Sequence, residues 1–364
     1  MTTVIVGLAI IGGIIVLVNL YQAGKFNSRI VINGLFLLLA LMTIGIGGFT
    51  YLIALDSVSE SSLTNTELVV TNISTDGALA LFIVSLILGV LSIGLIYSRK
   101  LRLVVQNWIV RSDGKEKRKS ADSVVHTLAI LLMFFASVFT VGNFIIAGGI
   151  EGLAEEIGDI SSIDLLSNLL LYVGIAVLGV GLFVRRDIPR TLKRLGIRLP
   201  ESGRLARWFV TGIKHLTIGT IVGFGMFWVQ VGLSFIWQLT VPPETVAEQS
   251  AASQALFTAL SGSLWLGFLV AFTAGVGEEL LFRGALQPIF GNIITSIFFV
   301  MLHSQYILTP ASLIIFVVSI IFGFVRSRYT TPAAMMAHFI YNFTPFVLIA
   351  VLQSYGISLE QLSF

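Results

Sequence analysis

Six side chains in the last third of the chain could do chemistry together. They are Glu278, Glu279 and Arg283 in GVGEELLFRGALQP, His303 in FFVMLHSQ, and His338 and Asn342 in AAMMAHFIYNF. Each interrupts a run that is otherwise apolar. An ionised group in hydrocarbon costs about 2.5–3.5 kcal/mol even on the lenient insertion scale, so charges at such depth are functional candidates by default. Glu279 and Arg283 stand four apart and can pair on one helix face. Glu278 lies about 100° around the same helix and faces a different neighbour. A Glu–Arg pair that merely staples helices together accounts for Glu279 and Arg283 and leaves Glu278 without a reason. His338 and Asn342 are spaced i, i+4 and share a face, and each alone reads as an interhelical hydrogen-bonder. Convergence changes that reading: two of the four histidines in the chain follow the unmatched glutamate, each expected inside an apolar helix.

The chemistry open to Glu, His, His and Asn is narrow. A carboxylate withdrawn from bulk water is a workable general base near neutral pH, and a histidine can share the water's proton. His and Asn donors on one helix face can hold an oxyanion as water attacks a carbonyl. No Ser lies in a nucleophile motif and the chain has no Cys, so direct attack by water is the economical scheme. A second scheme uses Glu278, His303 and His338 as zinc ligands. The local zinc signature HExxH is absent, which favours the metal-free scheme while leaving zinc open.

These groups must be positioned by membrane helices. The chain has 364 residues, 56% hydrophobic and 11% charged, against roughly a quarter charged in ordinary soluble domains. Apolar runs long enough to cross about 30 Å of hydrocarbon fall near 3–21, 30–55, 78–98, 124–149, 165–184, 208–240, 254–276, 289–308, 311–326 and 332–352. The pattern predicts an all-α, polytopic transmembrane bundle of about ten spans. The first run lacks a basic start and a small-residue cleavage site and reads as a retained span. The absence of cysteine excludes disulfides, thiolate nucleophiles and Cys-ligated metal centres. Nothing reads as a nucleic-acid signature, and no internal repeat argues for a transporter of two inverted halves.

The loops separate by charge. The segments around 99–119 and 185–207 are rich in Lys and Arg, and Lys25, Arg29, Arg326 and Arg328 flank other connections. The segments 56–77, 150–164 and 241–254 contain neither. Positive-inside reasoning places the basic loops in the cytoplasm, the acidic ones outside and, with ten spans, both termini outside. Asn72-Ile73-Ser74 matches a glycosylation sequon on the outer side. The basic residues also suit anionic lipid head groups. On this topology Glu278, His303, His338 and Asn342 meet in the cytoplasmic half of the bilayer, with His338 about 9 Å in at ~1.5 Å per residue.

EELLFR, FFVMLH and HFIYN resemble, in order, the three motifs of the CPBP family of CAAX proteases and bacteriocin-processing enzymes: EExxxR, FxxxH and HxxxN/D. The upstream LKRLGIRLPESGRLARWFVTG resembles the family's lead-in, so the likeness spans roughly residues 190–352. The resemblance implies an α-helical intramembrane endopeptidase. It implies that Glu278 activates water with His303, that His338 and Asn342 hold the oxyanion, that Glu279 and Arg283 orient the motif helix, and that Phe299 lines the site.

Together these readings divide the chain into an N-terminal membrane region (1–184), a basic cytoplasmic linker (185–207), a CPBP-like catalytic core (208–352) and a C-terminal tail (353–364). The expected activity is hydrolysis of a peptide bond in a membrane-associated or lipidated, CAAX-type peptide from the cytoplasmic side of a prokaryotic cytoplasmic membrane. The competing reading is a non-catalytic immunity or scaffold protein that binds a membrane peptide through the same fold.

Overall fold

The computed structural model of the chain describes residues 2–63, 74–109, 122–149, 161–200, 203–242, 263–303 and 310–356. Most of the acidic segments, much of the 99–119 loop, Asn72 of the sequon, the beginning of the seventh predicted span and the tail beyond 356 lie outside the described residues. The described residues form α1 (Thr2–Gln22), α2 (Arg29–Leu63), α3 (Thr75–Tyr97), α4 (Arg99–Ile109), α5 (Val124–Ile146), α6 (Ser162–Gly179), α7 (Ile188–Arg194) and α8 (Leu205–Gln238). They continue with α9 (Leu264–Thr273), two π-helical stretches π1 (Ala274–Glu278) and π2 (Leu280–Leu286), α10 (Gln287–Met301), α11 (Pro310–Arg328) and α12 (Thr331–Ser354). Among them there is no strand, only an isolated bridge between Leu182 and Arg186.

Among the described residues eight stretches are long and apolar enough to span a bilayer, and the chain is an integral membrane protein. The difference from ten has two sources. The first predicted span is the 21-residue helix α1 (Thr2–Gln22), of which Val6–Gln22 is counted among the shorter apolar helices of the described residues. The predicted seventh and eighth spans are one helical run, Leu264–Met301, with no loop after residue 276. Glu278, Glu279 and Arg283 therefore lie inside a helix and not at its frayed end. The run breaks at Gly291, whose φ of 77° is open to glycine and costly for other residues.

Two compact units make up the fold. One unit comprises residues 1–13, 156–288 and 309–364; the other comprises 14–155 and 289–308. In the second unit, α2, α3 and α5 pack on one another through small residues. A Cβ on Gly89 would stand 2.2 Å from Ile44 Cγ1, so the α2–α3 contact is closed at that point to any larger side chain. At the end of this bundle Arg99 forks onto Asp122 (2.7 and 2.8 Å), and that hydrogen bond holds the Asp122 carboxyl below its ordinary range.

The first unit is assembled around α12, which packs against α8, α9, α11 and both π stretches. On α8, Gly219 and Gly223 form a small-xxx-small pair that lets two backbones touch. A Cβ at these positions would lie 2.4 Å from the Ala333 carbonyl oxygen and 2.2 Å from that of Ala337. Val318, Phe322, Val325, Ala333, Ala334 and Ala337 fill the space between α11 and α12. Gly223→Val forces α8 off the backbone that carries His338. It is expected to lower stability by roughly 1–3 kcal/mol, read as an earlier thermal unfolding midpoint in detergent. An unchanged midpoint would contradict the close approach.

Within the basic segment 185–207, residues Ile188–Arg194 fold as α7. Asp187 caps α7 by accepting from the Arg190 N–H, Pro189 sits in the first turn, and Gly196 at φ 79° ends it. The Leu195 carbonyl that follows accepts from Thr331 Oγ1 at 2.5 Å, which docks α7 on the first turn of α12.

Candidate active site

Three glycines explain how GVGEELLFRGALQP is wedged into the first unit. A Cβ on Gly275 would stand 3.0 Å from the Phe339 backbone nitrogen of α12. One on Gly277 would stand 3.1 Å from Tyr172 Cβ of α6, and one on Gly284 3.1 Å from the Leu195 carbonyl oxygen. The motif helix is thus pressed between α12, α6 and the end of α7, with contacts tight enough that a side chain there would make its neighbours shift. The two π stretches abut here, separated by Glu279 alone. π turns inside α-helices are rare and concentrate at functional sites.

Glu279 is the hub of a buried polar cluster. Neither it nor Arg283 has any exposed surface. Arg283 Nε donates to Glu279 Oε2 at 2.9 Å, and Arg283 Nη2 donates to Ser319 Oγ on α11 at 2.8 Å. His338 Nδ1 lies 3.1 Å from Glu279 Oε1, and its ring tilts against Phe322 at 5.4 Å. Since a carboxylate only accepts, His338 donates from Nδ1 and turns Nε2 away from Glu279. The i, i+4 pairing of Glu279 and Arg283 expected from the sequence is present. The tie to His338 was not expected: the histidine assigned to the oxyanion is held by the other glutamate of the pair.

Glu278 has a different environment. It is half-buried, its Oε2 is buried, and that oxygen accepts no hydrogen bond from any described residue. Tyr172 of α6 packs beside Gly277, the residue before Glu278. Asn342 is half-buried one turn beyond His338 on α12, sharing its face.

His303 and Phe299 belong to the second compact unit. The sequence placed His303 within a continuous apolar helix; instead it stands two residues past the end of α10 at Met301, and residues 304–309 lie outside the described residues. Its ring stacks on Phe299 at 4.4 Å, and Nδ1 lies 2.8 Å from the Phe299 carbonyl oxygen. That carbonyl fixes the proton on Nδ1 and leaves Nε2 with a lone pair, the tautomer a base requires.

Four contributors carried no sequence signal. Ser319 and Tyr172 look like ordinary residues of apolar helices. Gln287 Nε2 donates to the Gly323 carbonyl at 2.8 Å and lies 2.9 Å from Ser327 Oγ, tying the end of π2 to α11. Arg194 Nη1 and Nη2 donate to the carbonyls of Gly284 (3.0 Å) and Ala285 (3.2 Å). Pro288, four residues after Gly284, has no N–H to offer that carbonyl, and the guanidinium supplies a donor in its place. A basic residue in a basic segment read as a topology signal; its role follows only from the docking of α7.

As for a metal, no group of three His, Asp or Glu side chains among the described residues is arranged to hold one.

Residues 260–344 match the model of the family described as Type II CAAX prenyl endopeptidase Rce1-like, and that segment contains all three motifs. No curated protein and no solved structure matches the chain at a significant level.

Proposed function

We propose that this integral membrane protein, whose residues 260–344 match the Type II CAAX prenyl endopeptidase Rce1-like family, is an intramembrane endopeptidase acting on a membrane-associated or lipidated peptide. The observation that carries the reading is the division of labour between adjacent glutamates. Glu279 spends both oxygens on Arg283 and His338, whereas Glu278 keeps a buried oxygen with no donor. An unbonded carboxylate oxygen away from bulk solvent is a base waiting for a proton source, and water is the one the scheme requires.

In the proposed reaction Glu278 takes a proton from water with the help of His303 Nε2, and the hydroxide attacks the scissile carbonyl. His338, as an imidazolium held by Glu279, donates from Nε2 to the oxyanion, and Asn342 donates beside it. The proton held by Glu278 then passes to the leaving amine, so the bond to carbon breaks and the carboxylate returns.

The purified chain is reconstituted with a set of membrane-anchored peptides, with and without a lipidated cysteine, and products are read by mass spectrometry before and after chelation. The expected result is an internal cut that survives chelation and metal depletion. A cut abolished by chelation and restored by zinc would replace the glutamate scheme with a metal one.

A further inference from the structure

We propose that Arg185, Arg186, Arg194 and Arg326 form a binding site for the phosphate of an anionic membrane lipid. All four guanidinium-bearing residues are half-buried and belong to the same compact unit. Arg194 is pushed down to about 10, first by burial and then by the like charges of Arg186, Arg326 and Arg185; it remains protonated at neutral pH. Burial, then Arg186, likewise lowers Arg185. Arg194 thus has like charges near it, and no carboxylate among the described residues pairs with it or with Arg185, Arg186 or Arg326. Asp187, the nearest acid in the chain, is taken up by Arg190, accepting from its N–H and lying 3.6 Å from its Nε. The Nε atoms of Arg185 and of Arg326 are buried and donate to no acceptor among the described residues.

The backbone that carries Arg185 and Arg186 is built to hold them side by side. The Gly181 carbonyl accepts from the N–H of both at 2.9 Å, Phe183 donates to the Arg186 carbonyl at 2.8 Å, and an Arg186 guanidinium nitrogen donates to the Val180 carbonyl. The turn closes only with Phe183 at φ 60°, a left-handed conformation uncommon for a bulky residue and worth asking about when found. Phe183 is 76% exposed and Ile188 is 53% exposed beside these cations. Apolar side chains left bare in the same segment as a guanidinium whose Nε lacks a partner match a ligand with both an acyl chain and a phosphate. A free phosphate satisfies only the cations. Guanidinium forks recognise phosphate oxygens in pairs, and basic pockets between membrane helices are where such head groups bind.

The test is a binding titration of the full chain in neutral detergent micelles, read by microscale thermophoresis, with phosphatidylglycerol, phosphatidylcholine and inorganic phosphate as separate arms. Phosphatidylglycerol is expected to bind roughly tenfold or more tightly than phosphatidylcholine. Arg185→Gln/Arg326→Gln is expected to remove that preference without moving the unfolding midpoint, because neither Nε holds a partner in the fold; Arg326→Gln alone should remove part of it. Equal affinity for the two lipids, or a preference that survives the double substitution, overturns the proposal. Inorganic phosphate that displaces the lipid at equal concentration overturns the lipid assignment.

Discussion

Arg283→Met lowers the stability of the membrane core by about 3–5 kcal/mol, the cost of leaving a buried carboxylate without its cation. Glu279 and Arg283 are both fully enclosed, the pair spans 2.9 Å, and Arg283 also reaches Ser319 on α11. Removing the cation strands Glu279 with His338 as its remaining partner, so the histidine is drawn out of position as well. The companion variant Glu279→Gln/Arg283→Met removes both charges, and it should recover most of the loss, because the energetic asset is compensation and not charge itself. Thermal or denaturant unfolding in detergent measures both. A single substitution costing under about 1 kcal/mol, in the range of an exposed ion pair, would contradict the enclosed geometry.

Glu278→Gln has the opposite profile. Cleavage should fall by about 10²–10⁴-fold, the usual contribution of a positioned base, while the unfolding midpoint stays within the roughly ±0.5 kcal/mol typical of changes that disturb no packing. Glutamine keeps the shape, and Glu278 Oε2 accepts no hydrogen bond whose loss would be felt in the fold. Rate and stability are measured on the same preparation. A comparable loss of stability would make Glu278 a structural residue. Wild-type protein that binds membrane peptides but never cuts them, with Glu278→Gln binding equally well, is the result the scaffold reading gives.

The two glutamates show how far the sequence is legible. That Glu279 pairs with Arg283 follows from i, i+4 spacing and the cost of burying charge, and the structure contains the pair. That His338 sits on Glu279 does not follow, because it depends on how α12 is rotated against the motif helix, and backbone contacts at Gly275, Gly219 and Gly223 set that rotation. Hydropathy located the helices well, since burial in lipid writes itself into composition. It failed where structure departs from an uninterrupted α-helix. It inserted a turn after residue 276 where π turns carry the helix onward, and it ran a helix through Gly291 and past Met301. The segment 185–207 shows the same limit. Its charge reads as a topology signal, while the docking of α7 through Leu195 and Arg194 rests on backbone carbonyls that no side-chain pattern announces.

The central claim is that Glu278 and His303 act on one water. A double-mutant cycle on cleavage rate tests it most directly, with Glu278→Gln, His303→Gln and the pair compared under single-turnover conditions. Groups that share one step are strongly non-additive. The double variant is therefore expected to be no slower than Glu278→Gln alone. Losses that multiply, so that the double variant is slower by the product of the two single effects, would contradict it and assign the two residues to separate tasks.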